Sequence, residues 1–311
     1  MKIRLGYVAL SKTIDITSSH TLTYTNYLKE DNPLEKLDNI IKLNLTNLKE
    51  TLIYNIKNDI YFFRITSKLI PLATKKDVNF DYIEKYKKYY LEIKTIIKNN
   101  NIRIDTHPDQ FTVLNSTNKD IVNNTINILK YHYKILNELG IKEIIIILHI
   151  GSSVFGKENS IKRFINNFNK LPKYLKESIA LENDDKIYNA IDVLNICEKL
   201  NIPFVLDYHH HLCNHITDEL DFNRIFKTWK KINPKVHFSS PKNKTKKDFR
   251  SHHDYIDLED FKLFISKIKD LNYDIDIMLE AKAKDEALFK LVRQLKYKTN
   301  YKFINNTTFL F

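Results

Sequence analysis

Eight apolar runs of strand length alternate with segments of helical periodicity along the chain, and this alternation restricts the fold more than any other feature. Each run is too continuously apolar to leave one face in water, which is typical of parallel strands buried on both faces. Eight strand and helix pairs in 311 residues predict a single α/β domain, a (β/α)8 TIM-type barrel. The predicted strands are Ile3–Leu10, Ile60–Ile65, Ile102–Thr106, Ile144–His149, Ile179–Glu182, Pro203–Asp207, Lys235–Phe238 and Ile275–Glu280.

The segments between the strands carry apolar residues at the spacing of one helical face. The stripes in Leu37–Ile56 and Ile161–Leu175 each predict an amphipathic helix, and Asp257 predicts the N-cap of a third. We interpret these stripes as core packing. Residues 11–34 lack a clear period and are expected to form a loop or hairpin over the barrel mouth. The barrel domain is expected to span residues 1–287, with 288–311 as an extension packed on it or trailing from it.

Six of the predicted strands end in or carry a residue that commonly binds metal ions. In a TIM-type barrel the carboxyl ends of the strands meet at one mouth, so these side chains should converge. Carboxylate and neutral imidazole are ligands of Zn²⁺ and Mn²⁺. The stretch PFVLDYHHH also places His210 three residues after Asp207, a spacing at which a helical turn can point both side chains into one pocket. The stretch SHHDY provides a further candidate ligand, either His252 or His253. The six strand residues are His107, His149, Glu182, Asp207, His237 and Glu280.

Seven or eight candidate ligands exceed what one ion takes in a site of this kind, so we predict two or three divalent ions that share bridging carboxylates. Such ions can activate a water molecule and neutralise charge on a pentacoordinate phosphorus. Hydrolysis of a phosphodiester is therefore the leading chemistry. Metal-assisted isomerisation of a sugar would need similar ligands and stays open.

Gln110 and Phe111 follow the candidate ligand His107 in the stretch HPDQF. An amide beside an aromatic ring at the barrel mouth can enter a base stack, where the amide replaces lost hydrogen bonds and the ring replaces stacking. Taken alone, a buried phenylalanine beside an exposed neighbour would explain the pair. The adjacent metal ligands favour a role in nucleic-acid binding.

The net charge of +12 and pI near 9.3 suit a polyanionic partner, although the cations are mostly lysine, as A/T-rich coding also produces. The stretch GSSVFGK at 151–157 resembles a Walker A loop but continues with Glu158 where a hydroxyl is needed, so no nucleotide cofactor is expected.

Cys197 and Cys213 form neither a disulfide framework nor a zinc pair. No apolar run is long enough to span a bilayer, and an intracellular, soluble protein is expected.

Nine stretches of the chain together resemble the ATP-independent UV damage endonucleases, from the N-terminus to about Ala287. The resemblance implies a (β/α)8 barrel with a cluster of divalent ions, Mn²⁺ first and Zn²⁺ or Mg²⁺ as alternatives. It also implies a DNA repair enzyme that nicks double-stranded DNA on the 5′ side of UV photoproducts, both pyrimidine dimers and 6-4 photoproducts. The matching stretches are RLGYVALS, FRITSKLIP, HPDQF, LHIGS, LENDD, VLDYHHH, KVHFSSP, SHHDY and MLEAKAK.

The resemblance also implies a role for individual residues. Glu182, Lys235, His237 and Glu280 are assigned to catalysis, Lys235 as a supporting residue beside the ions. Gln110 with Phe111 would probe the strand opposite the lesion. The implied metal ligands are His107, His149, Glu182, Asp207, His210, His237, His252 and Glu280. The remaining residues expected to contact DNA are Tyr7 in the groove for the damaged dinucleotide, Ser11 nearby, and Arg64 and Lys68 on phosphates.

Two departures from the family pattern bear on lesion recognition. Phe111 stands where the family usually has tyrosine, and Ser11 stands where asparagine is common. An apurinic-site endonuclease of the related barrel type is an alternative function, as are a sugar isomerase and a catalytically silent binder of damaged DNA. The protein is expected to be a monomer in the cytoplasm or associated with the nucleoid.

Overall fold

Eight parallel strands close into a barrel in the structure, a computed structural model that describes residues 1–78, 80–215 and 219–311. Each strand pairs with the next in chain order, and β1 pairs with both β8 and β2, which closes the ring. The predicted TIM-type barrel is thereby confirmed. The strands are β1 (Lys2–Val8), β2 (Phe62–Ile65), β3 (Arg103–Thr106), β4 (Ile146–Leu148), β5 (Ile179–Glu182), β6 (Phe204–Asp207), β7 (Lys235–Phe238) and β8 (Ile275–Leu279).

Helices follow the strands and pack around the barrel. Among the described residues, none of these helices is both long enough and apolar enough to cross a membrane. A short 3-10 turn, Lys269–Leu271, precedes β8. The helices are α1 (Tyr24–Tyr27), α2 (Pro33–Lys57), α3 (Tyr82–Lys85), α4 (Lys87–Asn99), α5 (Lys119–Glu138), α6 (Lys157–Asn169), α7 (Lys173–Ser178), α8 (Ala190–Leu200), α9 (Tyr208–Cys213), α10 (Phe222–Lys227), α11 (Leu258–Ile268) and α12 (Lys284–Lys298).

Two of the three predicted helices match the structure. The first stripe lies on α2, and Asp257 caps α11 by accepting from the backbone N–H groups of Glu259 and Asp260. The prediction of one helix over Ile161–Leu175 is wrong, because α6 ends at Asn169 and α7 begins at Lys173. Pro172 stands between them, and proline lacks the N–H that a continuous helix would need and disfavours helical backbone before it.

The segment between β1 and α2 is mostly irregular, as the sequence predicts, and contains only the short α1. β1 ends at Val8 because Ala9 has a left-handed φ of 66°. The start of this segment is fixed to Asp285 at the beginning of α12. The Asp285 carboxylate accepts from the Ser11 hydroxyl at 2.5 Å and from the Lys12 backbone N–H at 2.6 Å.

The C-terminal residues close the amino end of the barrel. After α12, β9 (Lys302–Phe303) and β10 (Thr308–Leu310) form a hairpin, and β10 pairs antiparallel with residues 2–4 of β1. Residue 287, the expected end of the barrel domain, lies within α12. α12 therefore begins inside the expected barrel domain and continues into the expected extension, which packs on the barrel.

The interior of the barrel mixes large apolar residues with paired charges. Gly6 lies against Phe62, since a Cβ on Gly6 would stand 2.3 Å from the Phe62 carbonyl oxygen. At the amino end of the strands, Asp276 accepts from Arg4 at 2.6 Å and from Arg103 at 2.5 Å. The larger apolar core lies between the strands and the helices. In barrels of this type a functional site lies at the carboxyl ends of the strands.

Candidate metal centre

The candidate metal ligands converge at the carboxyl ends of six neighbouring strands. Alternation along each strand turns every second side chain into the barrel, and in each strand this residue falls at the last position or next to it. Three groups of side chains have ligand atoms within 4.8 Å of one another. The groups are His107, His149 and Glu182; Glu182, His237 and Glu280; and Glu182, Asp207 and His210.

Glu182 is common to all three groups and stands at their centre. Its Oε2 lies 2.9 Å from His107 Nε2 and 3.8 Å from His149 Nε2. Its Oε1 lies 2.9 Å from His237 Nδ1 and 3.7 Å from His210 Nδ1. The side chain is only 2% exposed. One buried carboxylate with four imidazoles around it has the arrangement of a ligand that bridges ions.

Asp207 and His210 are brought together by the turn from β6 into α9. Asp207 caps α9, because its Oδ1 accepts from the His210 backbone N–H at 2.7 Å. The His210 ring donates from Nδ1 to the Asn183 carbonyl at 2.9 Å, which sets its orientation. Asn183 also exchanges two hydrogen bonds of 2.9 Å with the Asp207 backbone. The predicted pairing of Asp207 with His210 is thus present in the geometry.

Glu280 completes the centre on the side of β8. Its Oε1 lies 3.2 Å from His237 Nδ1 and 2.5 Å from Arg64 Nη2. The Glu280 carbonyl accepts from His252 Nδ1 at 2.9 Å, which holds the His252 ring beside His210, with ring centroids 6.1 Å apart. His253 is exposed. The structure therefore brings His252 to the cluster, although His252 belongs to none of the three groups.

Burial and charge act in opposite directions on these groups. Burial alone would raise the pKa of Glu182, but His237, His149 and a hydrogen bond from His107 hold it well below its usual range. Burial raises the pKa of Asp207. Burial would lower the pKa of His210, yet the charges of Asp207 and Glu182 raise it to about 9. The centre thus holds buried carboxylates close together, which favours a bound cation.

A second observation also favours bound divalent ions. Several candidate ligands in the described ranges have buried polar atoms that lack a hydrogen-bond partner. Within the described part of the chain, Asp207 Oδ2, His237 Nε2 and His149 Nδ1 are buried without a hydrogen-bond partner. Buried polar atoms are normally satisfied, so unpaired atoms on three candidate ligands need an explanation. Bound ions, with the water they carry, would provide it, and the imidazole and carboxylate donors match Mn²⁺ or Zn²⁺.

Lys235 lies one layer below the centre and pairs with Asp105, a residue that sequence reasoning missed. Its Nζ is 2.6 Å from Asp105 Oδ2, and both side chains are at most 1% exposed. Burial lowers the pKa of Lys235 to about 8, although Asp105 acts to raise it. Lys235 therefore lies near the ligand His237 without joining any of the ligand groups.

The residues expected to contact DNA divide into exposed and buried ones. Gln110, Phe111 and Lys68 are exposed, and Phe111 is 80% exposed on the loop after β3. Arg64 is buried in its ion pair with Glu280. The three exposed side chains are thus available to contact a ligand at the mouth, near the ends of β2 and β3.

Tyr7 and Ser11 are not brought to the open mouth. Tyr7 faces the outer layer of the barrel, because alternation along β1 turns Gly6 inward, and its hydroxyl donates to Asn55 on α2 at 2.7 Å. Ser11 is buried against Asp285. Tyr7 thus joins β1 to α2 and Ser11 fixes the segment after β1, and neither side chain faces the open mouth in this arrangement.

The loop that resembles a Walker A motif has a structural role here. Gly156 is the N-cap of α6 with a left-handed φ of 91°, and Lys157 pairs with Asp192 at 2.5 Å. The lysine is therefore engaged with a carboxylate on α8.

The fold and the site define a class of protein: a (β/α)8 barrel whose carboxyl end carries overlapping His, Asp and Glu groups that could hold metal ions. Comparison of the sequence narrows the class, because the profile of the UV-endonuclease UvdE family matches residues 3–309. The chain belongs to this family. Its relatives include proteins named UV DNA damage endonuclease from Bacillus cereus (strain B4264), 42% identical with 95% of each chain covered, and from Bacillus mycoides (strain KBAB4), 42% identical with 99% covered.

Solved structures give the same result at the level of the fold. The crystal structure of SacUVDE superposes with a TM-score of 0.86 at 34% identity, covering 95% of this chain and 98% of that one. Endonuclease IV from Thermus thermophilus superposes with a TM-score of 0.58 at 10% identity, covering 94% and 99%. Because only 10% of the residues are identical, the similarity to endonuclease IV concerns the fold alone.

Proposed function

We propose that this protein is a DNA repair endonuclease that hydrolyses the phosphodiester bond on the 5′ side of UV photoproducts, with a cluster of divalent ions and without ATP. The observation that carries the proposal is the position of Glu182, one buried carboxylate shared by three ligand groups in a chain of this family. We expect two or three ions per chain, Mn²⁺ before Zn²⁺ or Mg²⁺. The substrate is double-stranded DNA, and the enzyme would act as a monomer in the cytoplasm or on the nucleoid.

The side chains would divide the work as follows. The proposed ligands are His107, His149, Glu182, Asp207, His210, His237, His252 and Glu280. When bound, the ions supply an activated water and neutralise charge that develops on the phosphate. Asn183 holds Asp207 through two hydrogen bonds, and Arg64 fixes Glu280. Lys235 would place a positive charge beneath the reacting phosphate, and Lys68 would contact the DNA backbone.

The direct test is the nicking of supercoiled plasmid by the purified protein with Mn²⁺ and no ATP. Irradiated plasmid should be converted to the open circle, and unirradiated plasmid should stay supercoiled. An end-labelled duplex with one photoproduct should be cut on the 5′ side of the lesion. Equal nicking of both plasmids, or a preference for plasmid with abasic sites, would contradict the proposal and favour an apurinic-site endonuclease.

Lesion recognition is proposed to depend on Gln110 and Phe111. A photoproduct weakens stacking and pairing, so its extrusion costs less than that of an intact dinucleotide, and inserted side chains offset part of the remaining cost. Because a stacked base is worth about 1–3 kcal/mol by alanine substitution, the double variant Gln110→Ala with Phe111→Ala should bind damaged duplex at least about fivefold more weakly. The measurement is kcat/KM on intact duplex and on duplex with a gap opposite the lesion.

The gapped substrate separates recognition from chemistry, because nothing has to be held open there. The double variant should lose kcat/KM on the intact duplex and retain it on the gapped one. Tyr297→Ala is a matched control, since this tyrosine is 89% exposed near the end of α12. Equal losses on both substrates would show that the pair has a structural role.

A further inference from the structure

A pocket of about 440 Å³ opens beside Glu280, at the edge of the candidate metal centre. Arg64, His252 and Glu280 line it on the side of the centre, and Lys282 and Lys284 line it from the segment after β8. We propose that this pocket binds a phosphate group of the DNA backbone, with Lys284 as its principal cation. The inference rests on the proposed function and adds to it a phosphate site that adjoins the ligand groups and shares Glu280 with one of them.

The charges that line the pocket do not balance. Among the described residues that line it, Glu280 is the one carboxylate, and its Oε1 is already paired with Arg64 at 2.5 Å. Among the residues that the structure describes, neither Lys282 nor Lys284 has a carboxylate within ion-pair distance, whereas Lys157 and Lys235 each have one. Two lysines therefore face the pocket without an ion pair, although the Glu280 charge acts on Lys284 from a longer distance.

The backbone holds Lys284 in this position. Lys284 has a left-handed φ of 54°, a conformation that costs a residue other than glycine on the order of 1 kcal/mol. Its backbone N–H donates to the Ala281 carbonyl at 3.2 Å, and the next residue, Asp285, is fixed by the Ser11 and Tyr54 hydroxyls. The lysine is thus half-buried on a constrained turn, and an unpaired half-buried ammonium favours an anionic ligand.

Arg64 provides an independent observation. It is 6% exposed and lines the pocket, and within the described residues its Nη1 is buried without an acceptor. Guanidinium and ammonium groups that line the same pocket are a common recognition pattern for phosphate oxygens. Because Glu280 belongs to a ligand group, a phosphate in this pocket would lie on the strand that enters the metal centre, next to the bond that is cut.

The test uses steady-state nicking of a duplex with one photoproduct over a range of salt concentrations. Lys284→Met should raise KM about tenfold at about 50 mM salt and lower the log-log salt slope by about 0.9, as expected for one lost phosphate contact. Its effect on kcat should be smaller, because the contact binds substrate and transition state alike. Lys284→Arg should restore both values. Lys98→Met, an exposed lysine in the last turn of α4 at the opposite end of the barrel, should change neither.

Equilibrium dialysis with radiolabelled inorganic phosphate tests the pocket without DNA. Wild type should bind phosphate more tightly than Lys284→Met and about as tightly as Lys98→Met. If wild type nicks irradiated DNA while Lys284→Met keeps its salt slope and phosphate affinity, the inference is wrong and the proposed function stands. If phosphate binding depends on Lys284 but irradiated DNA is not nicked, the proposed function is wrong and the pocket serves a small phosphate ester.

Discussion

Replacing Glu182 with glutamine should lower the nicking rate by more than about 100-fold, the upper range for residues that merely support a metal ligand. The same variant should lose more than one ion per chain, because all three ligand groups include this carboxylate. Glutamine keeps the shape that packs between His107 and His237 and removes the charge. The loss would therefore report on ion binding and not on a packing defect.

Three measurements separate these effects. Metal analysis after dialysis counts the ions, thermal unfolding with and without Mn²⁺ reports their binding, and plasmid nicking reports activity. Wild type at about 100 times the dissociation constant should gain about 2.7 kcal/mol of stability from one ion, and Glu182→Gln should gain much less. Glu280→Gln, which affects one group, should lose at most one ion. Glu50→Gln, exposed on α2, should match wild type. Normal metal content and rate in Glu182→Gln would show that the centre is assigned to the wrong residue.

The barrel could be predicted from the sequence because strands buried on both faces are largely apolar, even where inward positions carry paired charges such as Lys235 and Asp105. The number and order of the eight barrel strands agree with the prediction and only their ends differ, whereas the hairpin of β9 and β10 was not predicted. β1 stops two residues early at a left-handed Ala9, and β4 is three residues long where six were predicted. The position at which a strand ends depends on the local backbone conformation and on pairing with neighbouring strands. Hydrophobic periodicity reports neither of these.

Most of the candidate centre could be predicted for a geometric reason. Parallel strands in a barrel end at one mouth, so residues far apart in sequence but equivalent in position must converge. The ion pairs around the centre could not be predicted in this way. Asp105 lies opposite Lys235, 130 residues away, and Arg64 meets Glu280 across 216 residues, with no shared spacing to indicate either pair. The reverse holds for Tyr7. The resemblance to the family predicted that it contacts DNA, but alternation along β1 turns its side chain toward α2 instead of the barrel mouth.

Removal of the Lys235 charge is expected to have the largest effect on stability. Lys235→Met leaves the Asp105 carboxylate buried without its cation, and breaking a buried ion pair from one side costs about 3–5 kcal/mol. At pH 7 the lysine is charged, because burial lowers its pKa only to about 8. Chemical denaturation at pH 7 should show a loss of this size in the free energy of unfolding. Lys173→Met, from the exposed pair with Glu177 on α7, should cost less than about 1 kcal/mol.

The double variant Lys235→Met with Asp105→Leu shows whether the cost comes from the unpaired charge. Apolar replacement of both partners of a buried ion pair is often neutral or stabilising, so the double variant should recover most of the stability that the single variant loses. If both residues serve only to fill space, the two substitutions should add instead. Recovered stability without recovered nicking would show that the Lys235 charge is retained for the reaction, because the fold would then be intact while the cation beneath the metal centre is missing. Recovery of both would contradict a catalytic role for Lys235 and leave the pair as a structural element of the barrel interior.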